Sequence, residues 1–199
     1  MTADQATIDY YQREAPRYVK AFAHGHSRDL DGFLDLLKPK AEILELGCGG
    51  GRDTLRIIER GFAIDATDGT PAMAEEAAKH VDVPVRVMRF DQLQSEAKYD
   101  AVWAHACLLH APRQDLHSIL GAIARALKPG GWHYANYKLG DGEGRDLLGR
   151  LGNFPSAEWL EDMYQSAGFT IHSSHQYRGE GADGTVRDWQ AIVVRKLAQ

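Results

Sequence analysis

The sequence predicts an α/β protein built on a doubly wound, mostly parallel sheet. Short apolar segments typical of strands alternate with segments of helical spacing from about residue 41 to residue 137. Such alternation places helices on both faces of a parallel sheet. Two further strand-like runs close the chain with no helix between them, which favours an antiparallel pair. We therefore expect about seven strands in the order 3-2-1-4-5-7-6, with an antiparallel strand near the C-terminus.

The elements follow from the spacing of apolar residues. Helical spacing covers residues 4–23, with Pro16 as a kink or break, and returns from Leu30 to Leu37 before Pro39. The expected strands cover residues 41–46, 63–67, 85–90, 99–106 and 132–137, and the expected helices between them cover 52–60, 71–80 and 116–127. Lys128-Pro-Gly-Gly131 is expected to stop the last of these helices. A polar, glycine-rich loop at 140–155, a helix at 156–167 and strands at 169–177 and 188–196 complete the prediction.

Composition limits the class of protein. The 199 residues suit one domain, predicted over residues 1–199, with residues 1–38 as a helical N-terminal arm or lid. A net charge of −5 is unfavourable for binding nucleic acids or anionic membranes, which rely on basic surface. Two cysteines argue against a disulfide framework. Without a secretory leader pattern or an apolar run near the ~20 residues of a membrane span, a cytoplasmic protein is expected.

The strongest motif is a glycine loop, Gly47-Cys-Gly-Gly-Gly51, between the first strand and the following helix. Glycines in this context let the backbone turn sharply and approach a ligand closely. The dinucleotide fingerprint requires a third glycine at position 52, where this sequence has Arg52. Glu45, just ahead of the loop, is unfavourable beside a pyrophosphate but suits a cationic amino group. A tight turn without a ligand is the alternative.

Acidic residues follow the next two strands. Asp68 lies at the tip of the second strand, where a carboxylate can accept both hydroxyls of a ribose. Asp91 follows the third strand and could meet an adenine amino group. Either acid alone is more typical of a solvated loop or a helix cap. Together with Glu45 they lie at successive strand ends on the edge of the sheet where such folds bind ligands.

With these motifs the chain resembles the class I S-adenosylmethionine-dependent methyltransferases, strongly over about residues 41–139. The narrower resemblance is to small bacterial members of the tellurite-resistance type. The segments that carry the resemblance are Ile43–Asp53, Ala66–Met73, Phe90–Asp91, Tyr99–His105 and Leu127–Gly131. It implies a Rossmann-like fold, S-adenosyl-L-methionine as methyl donor and S-adenosyl-L-homocysteine as product.

The resemblance also implies roles for individual residues. The glycine loop packs against the methionine portion of the cofactor, Glu45 faces its amino group, and Asp68 holds the ribose. An arginine–acid pair at a helix start, such as Arg52 and Asp53, is commonly structural. The implied cofactor-binding residues are Glu45, Gly47, Cys48, Gly49, Gly51, Arg52, Asp53, Asp68, Gly69, Met73, Asp91, Gln92 and His105.

The implied reaction is an in-line displacement, in which the protein aligns donor and acceptor and excludes water. The acceptor, left open by the sequence, is expected to be a small molecule. A general base is needed only where that acceptor must lose a proton. The catalytic candidates are His110, Tyr11, Tyr137 and Arg145, and further candidates for the acceptor side are Tyr10, Tyr18, Lys138, Arg150, Asn153 and Phe154.

Each of these candidates has a structural alternative. The tyrosines could pack in the core, and His110 could be a buried, hydrogen-bonded histidine rather than a base. Lys138, Arg145 and Arg150 suggest an anionic acceptor, although a solvated loop face would use the same residues.

Three other functions compete with methyl transfer. A nicotinamide-dependent oxidoreductase is disfavoured by Arg52 and Glu45, and a non-catalytic S-adenosylmethionine-binding protein stays open. A nucleic-acid methyltransferase is disfavoured by Ala104–Cys107, which contains no Asn-Pro-Pro-Tyr-like tetrad. No metal site is expected, because no second cluster accompanies His105 and Cys107. The sequence assigns no oligomeric state.

Overall fold

A seven-stranded sheet with helices on both faces runs through the centre of the molecule. The computed structural model describes residues 3–197. Along the sheet the strands follow the order β3-β2-β1-β4-β5-β9-β8. The strands are β1 Glu42–Leu46, β2 Ala63–Asp68, β3 Val85–Val87, β4 Tyr99–Ala104, β5 Leu127–Lys138, β6 Gly142–Arg145, β7 Leu151–Phe154, β8 Phe169–Glu180 and β9 Val186–Lys196. The helices are α1 Gln5–Ala21, α2 Leu30–Leu34, α3 Arg52–Glu59, α4 Pro71–Ala78, α5 Leu116–Ala126 and α6 Ala157–Ser166.

The sheet confirms the predicted fold class. Strands β1 to β5 pair in parallel, whereas β9 pairs antiparallel with both β5 and β8. Counting only the strands of this sheet in chain order gives the predicted 3-2-1-4-5-7-6. The predicted domain spans residues 1–199, and the predicted arm spans residues 1–38. Of these, residues 1, 2, 198 and 199 lie outside the described residues.

The central strands are buried on both faces, which explains their continuous apolar sequences. Residues 101–104 of β4 are fully buried, as are Ile43 and Leu44 of β1. One face packs on α5 and α6, and the other packs on Leu30, Phe33 and Leu34 of α2. A parallel sheet covered on both sides reads in the sequence as apolar runs rather than as alternation.

The first helix is continuous through Pro16, so the predicted break is wrong. Pro16 is exposed to solvent, whereas Ala15 and Val19 of α1 are buried against Met73. At the helix start, Asp4 caps the backbone by accepting from the Thr7 N–H at 2.9 Å. Packing on one face and a cap at one end thus stabilise the helix despite the proline.

Residues 140–155 were expected to form a loop, and this prediction is wrong. They contain an antiparallel hairpin of β6 and β7, in which Gly142 pairs with Phe154. The Asp146 carboxylate closes its turn by accepting from the backbone N–H groups of Leu148 and Arg150 at 2.9 and 3.0 Å. Glycines at alternate positions have no side chains to reveal the strand period, which explains why the pattern was missed.

Two strand boundaries also differ from the prediction. β3 ends at Val87, and Phe90–Gln92 form a 3₁₀ turn instead of its last residues. β5 begins at Leu127 and includes the Pro-Gly-Gly segment that was expected to precede it. The pairing of β4 with β5 shifts register between Tyr99 and Ala101, which accommodates this irregular segment.

None of the helices within residues 3–197 combines the length and the apolar character needed to cross a bilayer.

We expect Gly51→Ala to lower the free energy of unfolding by about 1–3 kcal/mol, because a side chain there is strained. Gly51 has φ +81°, and an added Cβ would lie 2.6 Å from Val81 Cγ1. Urea unfolding at constant m-value measures the loss. The matched control is Gly121→Ala in α5, where no atom lies within 4 Å of the added Cβ. This control should gain about 0.5–1 kcal/mol, and equal midpoints for the two variants would contradict the prediction.

Candidate functional site

A cavity of about 520 Å³ opens at the carboxyl ends of β1, β2 and β4, beneath α1. This is the edge at which open α/β sheets bind their ligands. Most of the predicted cofactor and catalytic residues meet here, although they are dispersed over more than half of the chain. The predicted residues that line the cavity are Tyr11, Tyr18, Glu45, Gly47, Cys48, Gly49, Arg52, Asp53, Asp68, Gly69, Met73, Asp91, His105 and His110.

The glycine loop is held tightly against the end of β4. Gly47 has φ +67°, and an added Cβ would lie 2.5 Å from Cys107 Cβ, so no larger residue fits without movement. The Cys48 N–H donates to the Thr67 carbonyl oxygen at 2.9 Å, which joins the loop to β2. Burial raises the pKa of the Cys48 thiol well above its usual value, and its side chain packs with Ala66 and Ala77. Cys48 therefore supports the loop and stays uncharged.

Asp68 joins the glycine loop to the tip of β2. One carboxylate oxygen accepts from the Gly49 N–H at 3.1 Å, and the other accepts from the Thr70 N–H at 3.0 Å. Burial outweighs these hydrogen bonds and raises the pKa of Asp68 to about 6. Because a carboxylate oxygen can accept more than one hydrogen bond, Asp68 retains acceptor capacity toward the cavity.

Glu45 is almost fully buried at the end of β1. It accepts a hydrogen bond from the Thr54 hydroxyl at 2.5 Å. Burial, followed by the negative charge of Asp53, raises the pKa of Glu45 to about 8. The side chain is therefore largely protonated at neutral pH, and a cationic group placed beside it would favour ionisation.

Asp53 holds other parts of the protein rather than facing the cavity freely. Its carboxylate accepts from the Ser27 N–H at 2.8 Å, from the Ser27 hydroxyl at 2.6 Å and from Trp103 Nε1 at 3.0 Å. Arg52 adds a hydrogen bond to the Ser27 hydroxyl at 3.3 Å. These contacts favour the structural alternative for this arginine–acid pair.

The β2 and β3 tips form one end of the cavity. Gly69, Met73 and Asp91 line it, and Arg89 Nε lies 3.3 Å from the Asp91 carboxylate. Gln92 does not line the cavity, because its side-chain oxygen turns back and accepts from the Arg89 N–H at 2.8 Å.

His105 lies in the cavity at the end of β4, with its ring held by aromatic neighbours. Its plane is nearly parallel to those of Trp103 and Tyr134, at interplanar angles of 8° and 10°. Burial lowers the pKa of His105 to about 4, so the imidazole is neutral at pH 7. Next to it, Ala106 has φ +51°, and its N–H donates to Asn136 Oδ1 at 2.6 Å. The end of β4 is thus a strained segment with a fixed geometry.

His110 belongs to a hydrogen-bond chain that connects α1 to the β6–β7 hairpin. Arg150 Nη1 donates to the Tyr11 hydroxyl at 2.6 Å, and this hydroxyl lies 3.1 Å from His110 Nε2. His110 Nδ1 lies 2.6 Å from the Leu151 carbonyl oxygen, which can only accept. Nδ1 therefore carries the proton and Nε2 accepts from Tyr11. Burial lowers the pKa of His110 to about 4, which keeps the ring neutral in this chain.

Several predicted site residues lie outside the cavity lining. Tyr137 is fully buried, with its hydroxyl 3.0 Å from that of Tyr164. Arg145 is exposed and binds the Asp4 carboxylate through two hydrogen bonds at 2.6 and 2.7 Å. Gly51 is covered by Val81. The other predicted acceptor residues outside the lining are Tyr10, Lys138, Arg150, Asn153 and Phe154.

The buried cations in this group have internal partners. Arg150 binds the Asp146 carboxylate through Nε and Nη2 at 2.9 and 2.7 Å. Lys138 forms a buried ion pair with Asp183 at 3.1 Å. The structure thus removes the reason for expecting these residues, or Arg145, to bind an anionic acceptor.

The sequence reasoning missed a wall contributed by the end of β8 and the turn after it. Tyr177 and residues 178–182 line the cavity together with Arg28, whose guanidinium lies 4.5 Å from the centre of the Tyr177 ring. Asn136 lines it as well and donates to the Tyr177 hydroxyl at 2.8 Å. In the sequence, the only signal for this wall was that Tyr177 lies at the end of a predicted strand.

Comparison with known proteins shows that part of this chain is similar to methyltransferases. Residues 43–131 match the family model described as a methyltransferase domain. A ubiquinone biosynthesis O-methyltransferase of Xanthomonas oryzae pv. oryzae is 36% identical over 98 residues, which cover 46% of this chain and 40% of that protein. The chain therefore matches less than half the length of this relative.

Solved structures share the fold at low sequence identity. The Burkholderia thailandensis 1,6-didemethyltoxoflavin-N1-methyltransferase, solved with its substrate and S-adenosylhomocysteine, has a TM-score of 0.77 at 20% identity. The match covers 97% of this chain and 88% of that one. The [4+2]-cyclase SpnF has a TM-score of 0.79 at 17% identity over 100% of this chain and 97% of its own. The narrower resemblance to the tellurite-resistance type stays a prediction.

We expect the contribution of Glu45 to the free energy of unfolding to fall as pH rises from about 5 to about 8. Above the unfolded pKa of 4.5 and below the folded pKa of about 8, only the folded protein holds the Glu45 proton. This stability is complete below the lower pKa and is lost as pH rises through the upper one. Compared with wild type in urea unfolding at several pH values, Glu45→Gln should make the slope of stability against pH more positive, by a total on the order of a few kcal/mol over this range. Glu75→Gln, at an exposed position on α4, should leave the slope unchanged; equal slopes for both variants would refute this assignment.

We expect Tyr11→Phe to destabilise the protein by about 1–3 kcal/mol, because it leaves buried polar groups of Arg150 and His110 without a partner. Thermal or urea unfolding measures this loss. Tyr10→Phe is the matched control, since the Tyr10 hydroxyl has no hydrogen-bond partner within residues 3–197. Losses of the same size in both variants would contradict the role of this hydrogen-bond chain.

Proposed function

We propose that this chain, which belongs to the class I S-adenosylmethionine-dependent methyltransferases, transfers a methyl group to a small-molecule acceptor. The observation that carries the proposal is the arrangement of Glu45, the glycine loop and Asp68 along one wall of the cavity. S-adenosylmethionine supplies an electrophilic methyl group on a positively charged sulfur.

The chemistry of the cavity fits this cofactor. Glu45 and Asp68 are acids whose pKa values are raised by burial, so a ligand with positive charge relieves an unfavourable arrangement. Asp68 would accept from the ribose hydroxyls while keeping its hydrogen bonds to the backbone. Gly69, Met73 and Asp91 would surround the adenine. A pyrophosphate would add negative charge to the same wall, which disfavours a nicotinamide dinucleotide.

The arm contributes alignment and exclusion of water. Val19 of α1 covers Gly50 so closely that an added Cβ would lie 2.9 Å from Val19 Cγ1. Tyr11 and Tyr18 complete the roof of the cavity. In a displacement at a preactivated methyl group, the protein contributes mainly by orienting the two reactants and keeping water out.

The acceptor side is proposed to take a small molecule in the cytoplasm. The O-methyltransferase named among the relatives acts in ubiquinone biosynthesis, and this supports a hydroxyl acceptor here. The acidic net charge of −5 argues against a nucleic acid. A cofactor-binding protein without methyl transfer is the second candidate, because the cyclase SpnF shares the fold over the whole chain.

Calorimetry tests the cofactor site first. S-adenosylhomocysteine should bind and stabilise the protein by about 2.7 kcal/mol at one hundred times its Kd, whereas NAD should do neither. Asp68→Asn should weaken S-adenosylhomocysteine binding about tenfold or more, which corresponds to about 1.4 kcal/mol. Asp82→Asn, at an exposed position after α4, should bind normally.

The competing functions give different outcomes in the same assays. NAD binding tighter than S-adenosylhomocysteine would overturn the proposal in favour of an oxidoreductase. Cofactor binding without S-adenosylhomocysteine release across a broad acceptor panel would favour the non-catalytic candidate.

A further inference from the structure

Two histidines follow β4 and line the cavity, but only one has ring nitrogens that are not already bonded. Both nitrogens of His110 have partners, the Tyr11 hydroxyl and the Leu151 carbonyl oxygen. His105 has no hydrogen bond or ion pair to any residue that the structure describes. The ring is partly exposed to the cavity, so its nitrogens are available to a ligand.

The position of His105 suits contact with a bound acceptor. Two residues further on, Cys107 packs directly against Gly47, so this segment lies beside the glycine loop. Stacking against Trp103 and Tyr134 fixes the plane of the ring. The hydrogen bond from Ala106 to Asn136 holds the backbone in its strained conformation. His105 is thus a rigidly held hydrogen-bond acceptor next to the proposed methyl donor.

We propose that the methyl acceptor carries a hydroxyl group and that His105 takes the proton from this group when its oxygen is methylated. This inference rests on the proposed function. The acceptor oxygen forms a bond to the methyl carbon, the electron pair of the breaking sulfur–carbon bond goes to sulfur, and the hydroxyl proton passes to His105. The protonated imidazole then loses its proton to water at the mouth of the cavity, which restores the neutral ring.

The neutral state of His105 is compatible with this role. Burial lowers its pKa, and the charged groups around it are Asp53, Arg52 and Asp29, of which the two acids act in the opposite direction. A weakly basic imidazole is sufficient, because a hydroxyl oxygen that gains a methyl group becomes a far stronger acid than imidazolium. At neutral pH the ring is already in the form that can accept a proton.

A hydroxyl acceptor explains a free imidazole better than a thiolate does. A thiolate arrives without a proton and needs no base, so it would leave the His105 nitrogen unbonded. The part of the cavity that we propose for the methyl acceptor is also lined by aromatic rings, among them Tyr18, Phe22 and Tyr177. Such rings suit a planar ligand. Phenolic compounds are therefore suitable probes.

The experiment compares hydroxyl and thiolate acceptors in His105→Gln. The hydroxyl probes are catechol, 3,4-dihydroxybenzoate and dopamine, and the thiolate probe is 4-mercaptobenzoate at pH 8. We expect wild-type protein to methylate at least one hydroxyl probe. At saturating S-adenosylmethionine, His105→Gln should lower kcat for that probe by about 100-fold or more and lower kcat for the thiolate probe by less than about threefold. His117→Gln, on the exposed side of α5, is the matched control.

Binding measurements separate this inference from the proposed function. S-adenosylhomocysteine should still bind His105→Gln, and its failure to bind wild type would defeat the proposed function itself. With the cofactor product bound normally, three outcomes would overturn the role of His105. These are an equal loss of hydroxyl and thiolate methylation, full hydroxyl activity in His105→Gln, and no methylation of any hydroxyl probe.

Discussion

The cavity depends on a single buried carboxylate that holds two backbone segments together. Asp68 accepts from Gly49 on one side and from Thr70 on the other, so the glycine loop and the start of α4 keep a fixed separation. The burial that raises its pKa is a cost that the two hydrogen bonds only partly offset. A carboxylate whose burial is only partly offset by hydrogen bonds is therefore well placed to gain from a ligand that donates further hydrogen bonds.

The other acids divide between ligand and scaffold. Asp53 is nearly saturated by Ser27 and Trp103, and it fixes the segment between α1 and α2. Among the described residues, only the Thr54 hydroxyl donates a hydrogen bond to the Glu45 side chain. Position along the chain does not distinguish these two roles, because both acids lie close to the glycine loop. The number of donors that reach each carboxylate distinguishes them.

The sequence was sufficient to predict the sheet and to bring Glu45, the glycine loop and Asp68 to one edge of it, for a local reason. Glu45, the glycine loop and Asp68 lie at strand ends, and parallel strands bring their carboxyl ends to one edge whatever their lateral order. The wall formed by the end of β8 was less predictable because it depends on long-range contacts. Tyr177 reaches the cavity through an antiparallel return, and Arg145 and Arg150 were occupied by partners that no spacing rule could reveal. The β6–β7 hairpin was missed because glycines conceal its alternation.

The hydrogen bonds between the arm and the β6–β7 hairpin also affect the order in which the chain folds during its synthesis. Arg150 reaches Tyr11 across 139 positions of sequence, and the Leu151 N–H reaches the Thr7 hydroxyl across 144. Helix α1 therefore lacks these partners until residues 150 and 151 have been synthesised. Until then its tyrosine-bearing face has no complete surface to cover, and the closing of the roof becomes a late event in folding.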